Sequence, residues 1–147
     1  MGDQTTRQLA SDLRNTITRL TKKLRKQSAT GEGLSLTERS TLAMLDQYQQ
    51  LLPSELAAME HITTQSMSQV LSNLLERGLI VRTGSETDKR KVIISLADLG
   101  RETLYQVRNE REEWLNKALN EVCTPQERAV LVQALEALKK LTEWDPS

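Results

Sequence analysis

Residues 53–96 read PSELAAMEHITTQSMSQVLSNLLERGLIVRTGSETDKRKVIISL, and within them the apolar period changes once, from helical to alternating. Pro53 is tolerated in a first helical turn because its missing N–H would have had no partner there, and SELAAMEH continues it as a short helix. His61-Ile62-Thr63 follows as a turn. Thr63 is placed to cap a second helix, in which Met67, Val70, Leu71, Leu74 and Leu75 are the apolar positions and Gly78 is the terminator. Beyond Gly78, LIVRT and KVIISL are short β-rich runs separated by GSETDKR, which predicts a hairpin with Val92, Ile94 and Leu96 on one face.

Working outward, Leu9, Leu13, Ile17, Leu20 and Leu24 recur at helical spacing and predict an N-terminal helix of about five turns, ended by SATGEG. Ser35 and Glu38 have the spacing of a capping box, ahead of a helix that buries Leu42, Met44 and Leu45. From Asp98 the period is helical again, through Leu104, Val107, Arg111, Trp114, Leu115, Ala118 and Val122. Pro125 opens a last helix with Leu131, Leu135, Leu138 and Leu141 aligned. The order is four helices, a two-stranded hairpin and two helices. The outer helices are long relative to the centre, and their apolar stripes exceed what one subunit can cover, so an intertwined homodimer is expected. The chain is therefore expected to be a single mainly α domain, residues 1–147, with a core at about 35–97 and dimerisation helices at about 5–28 and 98–144.

Composition narrows the class. Hydrophobic residues are 37% of the chain, aromatics 3%, and there is no phenylalanine, as in helical cores built from Leu, Ile, Val and Ala. One cysteine, Cys123, excludes an internal disulfide. No apolar run reaches the roughly 20 residues of a membrane span, and the opening MGDQTTRQLASDL has no signal-peptide pattern, so a cytoplasmic location is expected. Twenty basic and twenty acidic residues give a formal net charge of zero, but the average hides a pattern. Arg7, Arg14, Arg19, Lys22, Lys23, Arg25 and Lys26 crowd the first 30 residues, and Arg77, Arg82, Lys89, Arg90 and Lys91 crowd residues 77–91.

A short helix, a turn, a second helix and then a hairpin make the winged form of the helix-turn-helix. On the second helix Gln65, Gln69 and Ser72 lie opposite the apolar side, flanked by Ser68 and Asn73, with Thr64 and Ser66 in the first turn. Gln can pair bidentately with adenine, and Ser or Thr can meet several base edges. A face of amides and hydroxyls can read sequence but supplies little phosphate affinity. That affinity falls to the wing residues Arg82, Lys89, Arg90 and Lys91, and to Arg77 as a phosphate contact, with an arginine able to enter an A·T-rich minor groove.

The run from LTERSTLAMLDQY through LERGLIVR to DKRKVIISLADLGRE resembles the MarR family of bacterial transcriptional regulators over nearly the whole chain. Its most specific parts are the LxxxGLI ending and the D-x-R wing, Asp88-Lys89-Arg90. The resemblance implies that Arg90 reaches the minor groove, that Asp88 holds the wing and that the Gln65 to Ser72 face enters the major groove. It further implies a homodimer that binds pseudo-palindromic double-stranded DNA, a repressing role, and release of DNA by a phenolic or other small ligand. Two positions depart from the family pattern. His61 occupies a turn position often held by glycine, and Ala97 stands where a threonine usually caps the fifth helix.

Other chemistry finds little footing. The lone His61 and distant Cys123 form no metal-ligand cluster, no nucleophile–base pair or phosphate-cradling glycine loop is present, and neither an enzyme nor a cofactor is indicated. Cys123 is expected to be a buried inert thiol, Trp114 and Trp144 core or dimer contacts, and Glu110, Glu112 and Glu113 a solvated face. A rival to the regulator is a dimeric protein-interaction or effector-sensing module of the same fold that no longer binds an operator.

Overall fold

The computed structural model describes residues 3–31, 33–85, 87, 88 and 90–146. Six helices and a small sheet follow in the order α1 (Asp3–Lys26), α2 (Leu36–Tyr48), β1 (Gln50–Leu51), α3 (Pro53–Met59), α4 (Thr64–Glu76), β2 (Ile80–Gly84), β3 (Val92–Leu96), α5 (Asp98–Val122) and α6 (Pro125–Glu143). The local signals act as expected. Ser35 Oγ accepts from the Glu38 amide at 3.0 Å while the Glu38 carboxylate accepts from the Ser35 amide at 2.8 Å, closing the capping box of α2. Thr124 and Glu127 do the same for α6. Gly78, at φ +74, takes the left-handed conformation that ends α4.

The sheet is three-stranded and antiparallel, in the order β1-β3-β2, where the sequence predicts two strands. The extra strand is two residues long and pairs Gln50 with Ser95 and Leu51 with Ile94. A segment so short has no alternation to detect. It exists because Gln49, at φ 68, turns the chain back along β3. In the hairpin proper, Ile80 faces Leu96 and Gly84 faces Val92. Ile94 and Leu96 are buried and Val92 is half-buried, so the expected shared face holds.

The core lies where α2, α3, α4 and the sheet meet. Leu42, Leu45, Leu56, Met67, Leu74 and Ile94 are almost wholly removed from water, each worth about 1.5–3 kcal/mol of burial. Met44 is only half-buried, at the edge of this cluster.

The first turn of α5 is fitted against the start of β2. A Cβ on Gly100 would sit 1.9 Å from the Leu79 carbonyl oxygen, which itself accepts from the Ala97 amide at 3.0 Å. Ala97 caps α5 with no side-chain hydrogen bond, so the first turn of the helix lacks the acceptor that a threonine hydroxyl would supply. Further along, Tyr105 Oη donates to Asp46 at 3.0 Å and Arg108 lies 3.4 Å from the same carboxylate, tying α5 to α2.

Outside this centre the chain is thinly covered. No residue of α6 is buried, and Leu9, Ile17 and Leu20 of α1 together with Val130, Leu131, Leu135 and Leu141 of α6 stand exposed. Trp114 is half-buried and Trp144 exposed. Cys123 is half-buried rather than buried, because it forms the C-cap of α5. Among the described residues no helix is long and apolar enough to cross a membrane.

Candidate nucleic-acid interface

The turn between α3 and α4 is made by His61, whose φ of 56 places it in the left-handed region that histidine visits more readily than most side chains. Ile62 N donates back to Ala57 O at 3.0 Å, which fixes the crossing of the two helices. Thr63 then caps α4, its Oγ1 accepting from the Ser66 amide at 3.0 Å and donating to Ser66 Oγ at 2.9 Å. The first turn of α4 carries no acidic residue, so the positive end of its dipole faces outward unopposed, as an approaching phosphate requires.

Met67, Leu71 and Leu74 point into the core, with Val70 and Leu75 half-buried beside them. The opposite side of the helix is exposed at every position predicted from the sequence: Thr64, Gln65, Ser66, Ser68, Gln69, Ser72 and Asn73. Gln69 Nε2 donates to Asn73 Oδ1 at 3.1 Å, which orients two of these amides along the helix before any partner arrives.

The wing is organised around Asp88. Its Oδ1 accepts from the Arg90 amide at 3.0 Å, its carbonyl accepts from the Lys91 amide at 3.0 Å, and Lys91 returns a carbonyl to the Ser85 amide at 3.0 Å. Ser85 Oγ accepts from the amides of Thr87 and Asp88, each at 3.3 Å. Arg90 is left at the tip with its side chain 97% exposed, its Nε 3.8 Å from the Asp88 carboxylate. Lys89, also expected at this tip, lies outside the described residues. Lys91 and Arg82 are exposed. Arg82 shares with Pro53, Ser68, Ser72 and Val92 a depression of about 130 Å³ between α4 and the sheet, so the helix face and the wing strands form one continuous surface.

Arg77 sits apart from that surface. It is the C-cap of α4 and donates through Nη1 to Gly33 O at 3.2 Å, so one edge of its guanidinium is turned toward the α1–α2 loop. Glu110 also departs from expectation. Glu112 and Glu113 are exposed, but Glu110 accepts from Ser28 Oγ at 2.7 Å, from Thr30 Oγ1 at 3.0 Å and from Thr30 N at 3.3 Å. The Ser28 hydroxyl, helped by Thr30 and opposed by desolvation, holds its carboxyl below the ordinary carboxylate range. The contact spans 82 residues, and no local spacing announces it.

Comparison with known proteins gives the same architecture. Residues 32–91 match the model of the MarR family. The HTH-type transcriptional regulator MT0903.1 of Mycobacterium tuberculosis is 30% identical over 138 residues, covering 94% of this chain and 95% of the relative. A crystal structure of a Pseudomonas aeruginosa PA01 protein superposes with a TM-score of 0.86 at 33% identity, over 98% of this chain and 100% of the other. The fold is shared as well by a Staphylococcus aureus MepR variant bound to an oligodeoxyribonucleotide, with a TM-score of 0.69 at 20% identity over 90% of this chain and 97% of that one. The chain belongs to the MarR family of winged helix-turn-helix transcriptional regulators.

Proposed function

We propose that the protein is a homodimeric repressor that binds a pseudo-palindromic operator, with the α4 of each subunit in successive major grooves roughly 34 Å apart. The observation that carries this reading is the division of chemistry on one surface. The exposed side of α4 holds only amides and hydroxyls from Thr64 to Asn73, while the positive charge stands on the wing at Arg90, Lys91 and Arg82. Gln65, Gln69 and Ser72 read base edges, with Thr64, Ser66, Ser68 and Asn73 beside them. Arg90 enters the minor groove, and Asp88 positions it through the hydrogen bond to its amide rather than through the longer ion pair. Lys89 adds charge at the same tip, and Arg77 can meet a backbone phosphate with the donors that Gly33 does not use.

The homodimer is supported by the apolar side chains left exposed on α1 and α6, which a monomer in water would not leave uncovered. The MepR variant bound to an oligodeoxyribonucleotide supports the mode of engagement by its fold. Release by a small ligand is the remaining part of the proposal. It is supported by the position of the recognition lobe, which is tied to α5 through Asp46, Tyr105 and Arg108 and so follows movements of the dimer helices.

Sequencing the genomic fragments retained by the purified protein tests the proposal. It predicts a two-fold related pair of half-sites whose centres are about 10 base pairs apart, flanked by A·T-rich steps. Retention of fragments without a common motif would favour the interaction module that keeps the fold and has lost its operator.

A further inference from the structure

The exposed side of α4 carries a hydrogen bond between two amides that would face the bases: Gln69 Nε2 donates to Asn73 Oδ1 at 3.1 Å. The two residues stand one turn apart, at the i and i+4 positions whose side chains meet on a helix. Both are exposed, and no residue from Thr64 to Asn73 is charged, so no charge on this stretch competes for the Gln69 amide. Elsewhere such a pair merely decorates a helix. Here it lies on the side that enters the major groove under the reading proposed above.

The bond gives the Gln69 amide a direction. A free glutamine can turn its terminal amide end for end and offer its donor and acceptor in either order. With Nε2 drawn toward Asn73, on the C-terminal side, Oε1 takes the other end. One N–H is used within the pair, and the second N–H and Oε1 remain for a base. Among the major-groove edges, adenine sets a donor, its N6 amino group, beside an acceptor, N7. Guanine offers two acceptors, cytosine a donor, and thymine an acceptor beside its methyl group. A donor and an acceptor held in one order therefore match adenine, and against guanine Oε1 would face a second acceptor.

We infer that Gln69 reads one adenine in each half-site, and that Asn73 is a positioning residue that aims it rather than a reader of DNA itself. The inference rests on the proposed operator binding and adds the base that one side chain selects. The pair contributes little to the helix, so neither side chain is needed for folding. Its bond strengthens once the groove excludes water, because the amides then have fewer competing partners.

Selection from a random-sequence library with the full-length protein gives the operator, and competition binding then compares symmetric operators with one base changed in both half-sites. The parent protein should prefer adenine at one position by about tenfold per half-site, and so about a hundredfold over the operator. Replacing that adenine with 7-deazaadenine, which lacks the N7 acceptor, should weaken binding by the parent but not by Gln69→Ala. Gln69→Glu, which offers acceptors only, should move the preference to cytosine, whose N4 amino group donates. Asn73→Ala should lower the adenine preference about two- to threefold per half-site, hence about four- to ninefold over the operator. Asn73→Asp keeps an acceptor for Gln69 and should keep the parent's ratio, while its added negative charge lowers affinity for every sequence alike. All four variants change exposed side chains and should melt with the parent. An adenine preference that survives Gln69→Ala, a parental ratio in Asn73→Ala, or an Asn73→Asp ratio as low as that of Asn73→Ala would overturn the inference and leave operator recognition standing. A library that yields no common motif would overturn the operator reading itself, and this inference with it.

Discussion

Arg90→Ala separates the two roles that the wing assigns to neighbouring residues. The Arg90 side chain is 97% exposed, and its one ion pair is a 3.8 Å approach to a carboxylate that is itself 39% exposed. Such a pair contributes less than about 0.5 kcal/mol to folding. The turn is held instead by the Arg90 amide on Asp88 Oδ1 and by the Lys91 amide on Asp88 O, both of which survive the substitution. The melting temperature should therefore move by about 2 °C or less. DNA binding should respond very differently. Losing one charge-assisted contact of about 1.5 kcal/mol per subunit weakens binding roughly tenfold per subunit and a hundredfold per dimer. The slope of log K against log salt should fall by about 0.9 per subunit. Fluorescence anisotropy at several salt concentrations, on operators with A·T-rich and G·C-rich flanks, measures both quantities. The loss should be larger on A·T-rich flanks, where the minor groove is narrow and most negative. Asp88→Asn keeps an acceptor for the Arg90 amide and should bind nearly as well as the parent, whereas Asp88→Ala should approach the Arg90→Ala affinity. An unchanged salt slope in Arg90→Ala, or equal loss on both flanks, would refute the minor-groove assignment.

The remaining predictions concern the reading helix, the α5 junction, the loop clamp and the dimer. Gln65→Ala should relax base preference at one position of each half-site by about 1–3 kcal/mol in a competition assay while leaving the salt slope unaltered. Gly100→Ala places a methyl 1.9 Å from Leu79 O and must displace the start of α5, so urea denaturation should show a loss of about 2–4 kcal/mol. The lowered Glu110 carboxyl contributes stability that is fully present above the ordinary carboxylate range and is lost as pH falls through its depressed value. Glu110→Gln should thus flatten the acid limb of a stability-versus-pH curve, and an unchanged limb would detach the clamp from folding. Leu135→Glu, on the uncovered face of α6, should shift the sedimentation equilibrium toward monomer, and operator affinity should fall with it.

Much of this fold was legible because it is built from local signals. Ser35, Thr63, Gly78 and Pro125 act on backbone within a few residues of themselves, and the change of period after Gly78 marks the hairpin without help from the rest of the chain. The exposed side of α4 followed from helical spacing alone. What escaped was long-range or too short. Two residues, Gln50 and Leu51, become a strand only because β3 is there to pair with them. Glu110 looked like one of three solvated acids, since nothing in its spacing points to Ser28 and Thr30 on a loop 80 residues away. The need for glycine at position 100 was not legible, because its reason, the Leu79 carbonyl that a Cβ would meet, is purely tertiary.

The central claim is that an uncharged helix face reads sequence while the wing supplies the charge. A salt titration of binding to a random duplex and to the protein's own upstream region tests it most directly. The account predicts tight selection of one site with a slope set by several phosphate contacts, and much weaker random binding of similar salt dependence. Affinity for every duplex indistinguishable from background at low salt would contradict it.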